Sequence, residues 1–107
     1  MSAKVAKIVA TLELTAHGSD INQTLFTPAS AGLFRLSLYA ELDTSGTIHA
    51  NYVDDASNSI TLTAAGATNV KTFNNVFRSA ASQAISISTA IDSFPFNLYA
   101  VLEELSD

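Results

Sequence analysis

The stretch LFRLSLYAEL at residues 33–42 decides the fold, because its apolar side chains recur at every second position. A period of two is typical of a β-strand that packs one face on a core, and it predicts such a strand here. A shift of one residue would turn the inward side chains toward water, so the register of the strand is strongly specified. The inward set is Phe34, Leu36, Leu38, Ala40 and Leu42.

Shorter alternating segments recur along the rest of the chain, and polar turns rich in Asp, Ser and Gly separate them. In the first segment, alternation places Ile8 on the core face and Val9 on the opposite face. The segment at residues 70–77 has an ambiguous period, which is compatible with a bent strand or with one helical turn. The other strands are predicted near residues 5–14, 21–26, 47–53, 60–62, 85–91 and 96–102.

Taken together, these segments predict an all-β fold. About eight short strands at a spacing of roughly ten residues, with no convincing long helix, are typical of a β-sandwich or a small barrel. Eight strands favour a jelly roll. An immunoglobulin-like sandwich of about seven strands is the alternative, although the chain has no Trp and no Cys to support it.

Length and composition indicate one globular domain over residues 1–107 with an unusually neutral surface. Charged residues make up 14% of the chain, against about 25% in an average protein. The net charge of −5 argues against nucleic acid as a partner, since phosphate contacts require basic residues. The apolar run from Ile8 to Leu12 is too short for a signal peptide or a membrane span. We therefore expect no membrane insertion and cytoplasmic synthesis, with incorporation into a particle as an open alternative.

A local resemblance supports the jelly roll. Leu25-Phe26-Thr27-Pro28, followed by the strand that starts at Gly32, resembles a segment of complement-type globular heads and related tumour-necrosis-factor-like jelly rolls, in which a Pro turn leads into a Gly and an alternating strand. It also resembles small β-domains of phage tails and head fibres. The resemblance implies a compact jelly roll that assembles as a homotrimer around one of its sheets and binds partners through its loops.

Residues that could carry chemistry are few, and they do not form a recognisable catalytic pattern. His17 in a turn and His49 on the polar face of a strand have no ligand spacing between them, so both are interpreted as surface histidines. Glu103 and Glu104 are adjacent and point to opposite faces, so we interpret them as acidic protection of an edge strand. The sequence therefore predicts a non-catalytic protein without a cofactor.

One loop could offer oxygen ligands to Ca²⁺. Asp54, Asp55 and Asn58 lie close together in the sequence, but they lack the D-x-D-x-D-G spacing of a calcium loop. Asp and Asn are also favoured in turns, and this is the preferred interpretation.

Apolar residues that face away from the predicted core are the most informative feature of the sequence. If the first, third and last long strands lie side by side, these residues form one patch. Interface centres are depleted in charge and enriched in Tyr, so the patch is a candidate oligomer interface. The alternative is that they are single surface residues of the normal kind. The predicted interface residues are Val5, Val9, Leu33, Tyr39, Tyr99 and Val101.

These observations favour a non-catalytic structural or adhesive module. We expect a homotrimer of virion-appendage or tumour-necrosis-factor-like type, with a protein or glycan receptor as a further partner. A carbohydrate-binding sandwich module is the alternative. Sugar sites usually present exposed aromatic rings, and this chain has no Trp, while most of its Phe residues fall in core-facing positions.

Overall fold

The computed structural model describes residues 6–105, and these residues form two antiparallel sheets packed face to face. Every regular element in the described part of the chain is a strand, so the predicted all-β sandwich is confirmed. None of the described residues belongs to a helix that could cross a membrane. The strands are β1 Ala6–His17, β2 Asn22–Phe26, β3 Gly32–Glu41, β4 Gly46–Val53, β5 Ser59–Thr63, β6 Ala65–Gly66, β7 Val70–Ser79, β8 Ile85–Ile91 and β9 Phe96–Leu105.

Strand pairing identifies the sandwich as a jelly roll. The larger sheet has the order β1-β9-β3-β7-β6, and the smaller sheet has the order β2-β8-β4-β5. The pairs β1·β9, β2·β8, β3·β7 and β4·β5 are nested, so the chain forms one long antiparallel ribbon whose tip is the β4–β5 hairpin. Rolling this ribbon places β3 against β9 and β4 against β8. The jelly roll is confirmed, and the immunoglobulin-like alternative is wrong.

The core fills the space between the inner faces of the two sheets. All five inward residues predicted for the stretch 33–42 are buried, and Leu36 in β3 is completely inaccessible to solvent. The smaller sheet contributes Ile48, Ala50, Ile85 and Ile87 from the opposite side. Tyr52 is half-buried at the margin of the core, where its ring stacks on Phe77 with a centroid distance of 4.1 Å.

The segment with the ambiguous period is a strand, β7. Phe73 and Phe77 point toward the core, whereas Val70 and Val76 lie on the opposite side. Apolar residues on both faces of one strand mix the periods of two and of three to four, which explains why the sequence pattern alone is indecisive.

The prediction for the first strand is wrong at its beginning. The pairing of β1 with β9 shifts by one residue between Ile8 and Ala10, which is the mark of a β-bulge. Because of this extra residue, Val9 packs against the core, while Ile8 lies opposite Glu103 and is 59% exposed. The bulge therefore exchanges the inward and outward positions of Ile8 and Val9 relative to simple alternation.

The last strand is not an edge strand, so the interpretation of its acidic end as edge protection is wrong. β9 lies between β1 and β3. Its two carboxylates do point to opposite faces, because Glu103 is opposite Arg35 and Glu104 is opposite the buried Phe34.

Candidate functional site

The first, third and last long strands lie side by side in the larger sheet, as β1-β9-β3. This is the arrangement that the predicted interface residues require to form a common patch. Side chains on the side of this sheet that faces away from the core form a surface that we call the outer face. Three successive rows of paired residues cross it, each with one residue from β1, β9, β3 and β7 in that order. The first row is Ile8, Glu103, Arg35 and Val76, the second is Thr11, Val101, Ser37 and Asn74, and the third is Glu13, Tyr99, Tyr39 and Thr72.

Exposed large hydrophobic residues are concentrated on this outer face. Among the described residues five such side chains are exposed, and four of them, Ile8, Tyr39, Val76 and Tyr99, belong to the three rows. The fifth, Phe94, lies in the β8–β9 loop. Scattered apolar residues are normal on a protein surface, whereas a cluster on one sheet indicates an interaction surface. We call these four residues together with Val101 the outer-face patch.

The predicted interface residues divide into three groups in the structure. Tyr39 and Tyr99 are direct cross-strand neighbours, and they are 43% and 36% exposed. Leu33 and Val101 lie on the same face and are half-buried. Val9 faces the core because of the β1 bulge, and Val5 lies outside the described residues.

Two members of the outer-face patch were missed by the sequence analysis. Val76 lies in the segment with the ambiguous period, and its outward position follows only from its pairing with Arg35. Ile8 takes the outward position that alternation assigns to Val9. An apolar run that breaks its own alternation, as Ile8-Val9-Ala10 does, is the one signal of a bulge that the sequence contains.

An ion pair lies on the outer face, in the row between Ile8 and Val76. The guanidinium of Arg35 donates a hydrogen bond from Nε to Glu103 Oε1 over 2.9 Å. This hydrogen bond holds the pKa of Glu103 below its ordinary value and raises the pKa of Arg35. Since the two charges neutralise each other, the row between Ile8 and Val76 presents no net charge to an approaching surface.

A shallow groove runs beside the tyrosine pair. Its lining includes Tyr39, Tyr99, Ser37, Thr72 and Asn74, so two aromatic rings adjoin two hydroxyls and an amide. The groove is open to solvent and carries no ionised group of its own.

Acidic side chains border the groove on one side. The hydroxyl of Tyr39 donates to Glu41 Oε2 over 3.4 Å, and Asn97 Nδ2 donates to Glu41 Oε1 over 3.2 Å. Glu13 is opposite Tyr99 in the neighbouring strand and is exposed. The patch is therefore neutral at its centre and acidic at this margin.

The outer side of the smaller sheet has a different chemistry. None of the residues in β2, β4, β5 and β8 is Asp, Glu, Lys or Arg. At its centre, Asn51 Nδ2 donates to Ser88 over 3.1 Å, and Asn51 Oδ1 accepts from Thr61 over 3.1 Å. These hydroxyls and amides bond to one another, so the surface is polar without being charged.

The two histidines, which were interpreted as surface residues, are half-buried and have partners. The ring of His17 packs edge-on against Phe96 with a centroid distance of 5.6 Å. His49 Nδ1 is hydrogen-bonded to the hydroxyl of Thr63 over 3.2 Å. Both histidines are half-buried, and they lie in different sheets.

The loop considered for Ca²⁺ is an Asp-stabilised turn. Asp54 Oδ1 accepts hydrogen bonds from the backbone N–H groups of Ala56 and Asn58, and Oδ2 accepts one from the Asn58 side chain. These bonds, chiefly those from Asn58, lower the pKa of Asp54. Asp55 forms an ion pair with Arg78. Within residues 6–105, no three His, Asp or Glu side chains form a group that could hold a metal.

Comparisons with family models and with curated proteins find no match. The fold is similar to a solved structure described as "Structure of infectious bursal disease virus Gx strain", with a TM-score of 0.39 and 13% sequence identity. The similarity covers 97% of this chain and 33% of that chain, so this chain spans about one third of the length of the viral protein. At this level of similarity the match carries no statement about function.

Proposed function

We propose that this protein is a non-catalytic structural module that associates with copies of itself through the outer face of the larger sheet. The observation that carries the proposal is the clustering of Ile8, Tyr39, Val76 and Tyr99 within three rows of one sheet. Tyrosine rings bury a large area at low entropic cost, and their hydroxyls still find hydrogen-bond partners at a contact.

A closed homotrimer is the assembly that we propose. A threefold axis through the outer face lets three identical patches meet and leaves no patch uncovered. The Arg35–Glu103 pair would enter the contact already neutralised, which reduces the cost of removing its charges from water. The acidic margin around Glu13 and Glu41 would remain at the rim, where each chain's net charge of −5 repels least.

The molar mass in solution tests this proposal. Light scattering at tens of micromolar should give three chains of 11.3 kDa, or a multiple of three chains, for the parent. Replacing Tyr39 and Tyr99 with Glu should give a folded protein that no longer forms the trimer, because unpaired charges would be buried at the axis. A matched variant with Ser88 and Thr61 replaced by Glu, on the smaller sheet, should remain a trimer. A parent that stays monomeric under these conditions contradicts the proposal.

Glycan binding is a second candidate, and one observation favours it. The groove places the rings of Tyr39 and Tyr99 beside the amide of Asn74, with Glu41 and Glu13 at its margin. Exposed rings flanked by amides and acids are the arrangement expected of a sugar site. The two candidates exclude each other, since a trimer would cover the groove. A monomeric parent whose Tyr fluorescence responds to oligosaccharides, and whose Asn74→Ala variant does not respond, would establish the second.

A further inference from the structure

The four edges of the two sheets are unequal. Three of them end in short strands, which are β2 and β5 with five residues each and β6 with two, and β6 pairs with only Lys71 and Thr72 of the ten-residue β7. The fourth is β1, which has 12 residues and, among the described strands, pairs on one side only. Short edge strands are a common protection against pairing with other chains, and β1 lacks this protection.

The side of the sandwich next to β1 is also incompletely closed. Nine hydrophobic residues pack against the core while remaining partly exposed, and seven of them come from β1, from β2 or from the loop between them. Leu12 and Leu14 point toward the core but are only half-buried, because no strand formed by residues 6–105 lies beyond β1. A strand added to the free edge of β1 would cover Leu12 and Leu14. It would also form hydrogen bonds with the unpaired backbone groups of that edge. The seven are Val9, Ala10, Leu12, Leu14, Ile21, Leu25 and Phe26.

We propose that the free edge of β1 pairs with β1 of a second copy of this chain. The pairing would be antiparallel around a twofold axis and would join two larger sheets into one. The contact is separate from the outer face and does not depend on the function proposed above.

The register of this pairing follows from the irregularities of β1. Its pairing with β9 is regular from Ala10 to Leu14 and shifts on both sides of that segment. Only a twofold axis at Leu12 keeps the whole pairing within the regular segment. Thr11 then faces Glu13 of the partner subunit, and Ala10 faces Leu14 of the partner subunit. An axis one residue further along would place two Glu13 carboxylates directly opposite, which is unfavourable.

Charge also favours a second copy at this edge. β1 contains one Lys and one Glu among its described residues, so the strand is neutral although the whole chain carries −5. Two copies therefore approach along β1 with little electrostatic repulsion. A small residue facing a large one, as Ala10 faces Leu14, also fits the inner side of the joined sheets.

Disulfide cross-linking tests the register directly, because the chain contains no cysteine. Thr11→Cys and Glu13→Cys are single variants at exposed positions. When the two variants are mixed and oxidised, they should cross-link with each other, since facing residues in an antiparallel pair lie within disulfide range. Neither variant alone should cross-link, because two copies of the same position are then diagonal neighbours about 7–8 Å apart, beyond that range.

A matched pair of variants on another edge controls for random collision. Thr61→Cys and Thr63→Cys have the same spacing on the outer side of β5, a five-residue edge strand. The mixture of these variants should remain largely monomeric on denaturing gels. No cross-link in the Thr11→Cys and Glu13→Cys mixture, or an equal yield in the β5 control, overturns the proposal.

Charge at the twofold axis gives a second, independent test. In the background with Tyr39 and Tyr99 replaced by Glu, β1 pairing alone should give a dimer of twice 11.3 kDa by light scattering. Adding Leu12→Lys should give a monomer, since two lysines would then face each other. Leu62→Lys on β5, also half-buried and directed inward, should leave the dimer intact. A monomer before Leu12→Lys is added overturns the edge pairing and leaves the trimer proposal untouched.

Discussion

The outward surfaces of the two sheets differ sharply in charge, although the inner faces of both sheets carry buried apolar residues. All the Asp, Glu, Lys and Arg residues within the described strands belong to β1, β3, β7 and β9 of the larger sheet. The larger sheet also carries the outer-face patch. The smaller sheet presents hydroxyls and amides that bond to one another around Asn51.

In the proposed trimer, the interface is the larger sheet, which carries charged residues, and not the uncharged smaller sheet. Interface centres are enriched in Tyr and depleted in Ser, so the uncharged smaller sheet is the less suitable of the two. On the larger sheet, the charges of Arg35 and Glu103, between Ile8 and Val76, are already paired. The paired charges and exposed rings together favour association through the larger sheet.

The largest expected effect tests whether the two inner faces are equivalent. Leu36→Ala in the larger sheet and Ile87→Ala in the smaller sheet should each lower the free energy of unfolding by roughly 2–5 kcal/mol, because both side chains are fully buried. Urea denaturation measures the two losses. A loss below about 1 kcal/mol for either variant would show that its sheet contributes little to the core.

A charge placed on the outward surface should weaken the trimer when it lies on the larger sheet and not when it lies on the smaller sheet. Val76→Asp on the larger sheet should raise the dissociation constant of the trimer by about tenfold or more, which corresponds to about 1.4 kcal/mol. Thr61→Asp on the smaller sheet should leave it unchanged. Sedimentation velocity over a dilution series measures both variants. Equal weakening by the two substitutions would remove the distinction between the surfaces.

Truncation of an amide side chain, in contrast, should have the larger effect on the smaller sheet. Asn51 makes hydrogen bonds to Ser88 and Thr61, so Asn51→Ala should cost about 1 kcal/mol of unfolding free energy. Asn74 on the larger sheet is exposed, and its truncation to Ala should change stability by less than about 0.5 kcal/mol. Thermal unfolding compares the two variants. Similar losses would mean that the polar network of the smaller sheet contributes nothing measurable.

The smallest effect concerns acid and the ion pair on the larger sheet. Because Arg35 lowers the pKa of Glu103 in the folded state, the pair stabilises the protein above the ordinary pKa of Glu103. This contribution is lost as the pH falls through the lowered pKa. The melting temperature of the parent should therefore fall slightly more between about pH 5 and pH 3 than that of Glu103→Gln. Parallel pH profiles would show that the pair adds no stability.

Much of the fold could be predicted from the sequence, because alternation reports burial directly when one side of a strand faces a core. The regular pattern from Phe34 to Leu42 identified β3 and its register, and the number and spacing of the strands indicated a jelly roll. Alternation failed to predict the inward face where both faces of a strand are apolar or where a bulge interrupts the strand. In β7, Val76 and Phe77 are apolar on opposite faces, and in β1 a bulge reverses Ile8 and Val9.

The candidate site depended more heavily on tertiary structure. The sequence identified Tyr39 and Tyr99 as outward residues, since alternation places each on the face opposite the buried side chains of its strand. It contained no signal for the pairing of Arg35 with Glu103, which are 68 residues apart in the chain. It also contained no signal that the acidic last strand lies inside a sheet.

The sequence by itself determined which residues of each regular strand face the core, because that choice depends only on local alternation. The tertiary structure decided which strands are neighbours, and therefore which outward residues form one surface. Rolling the ribbon placed β9 between β1 and β3, which brought Tyr39 and Tyr99 side by side and left β1 with a free edge. Such contacts join residues far apart in the chain, and no local pattern encodes them.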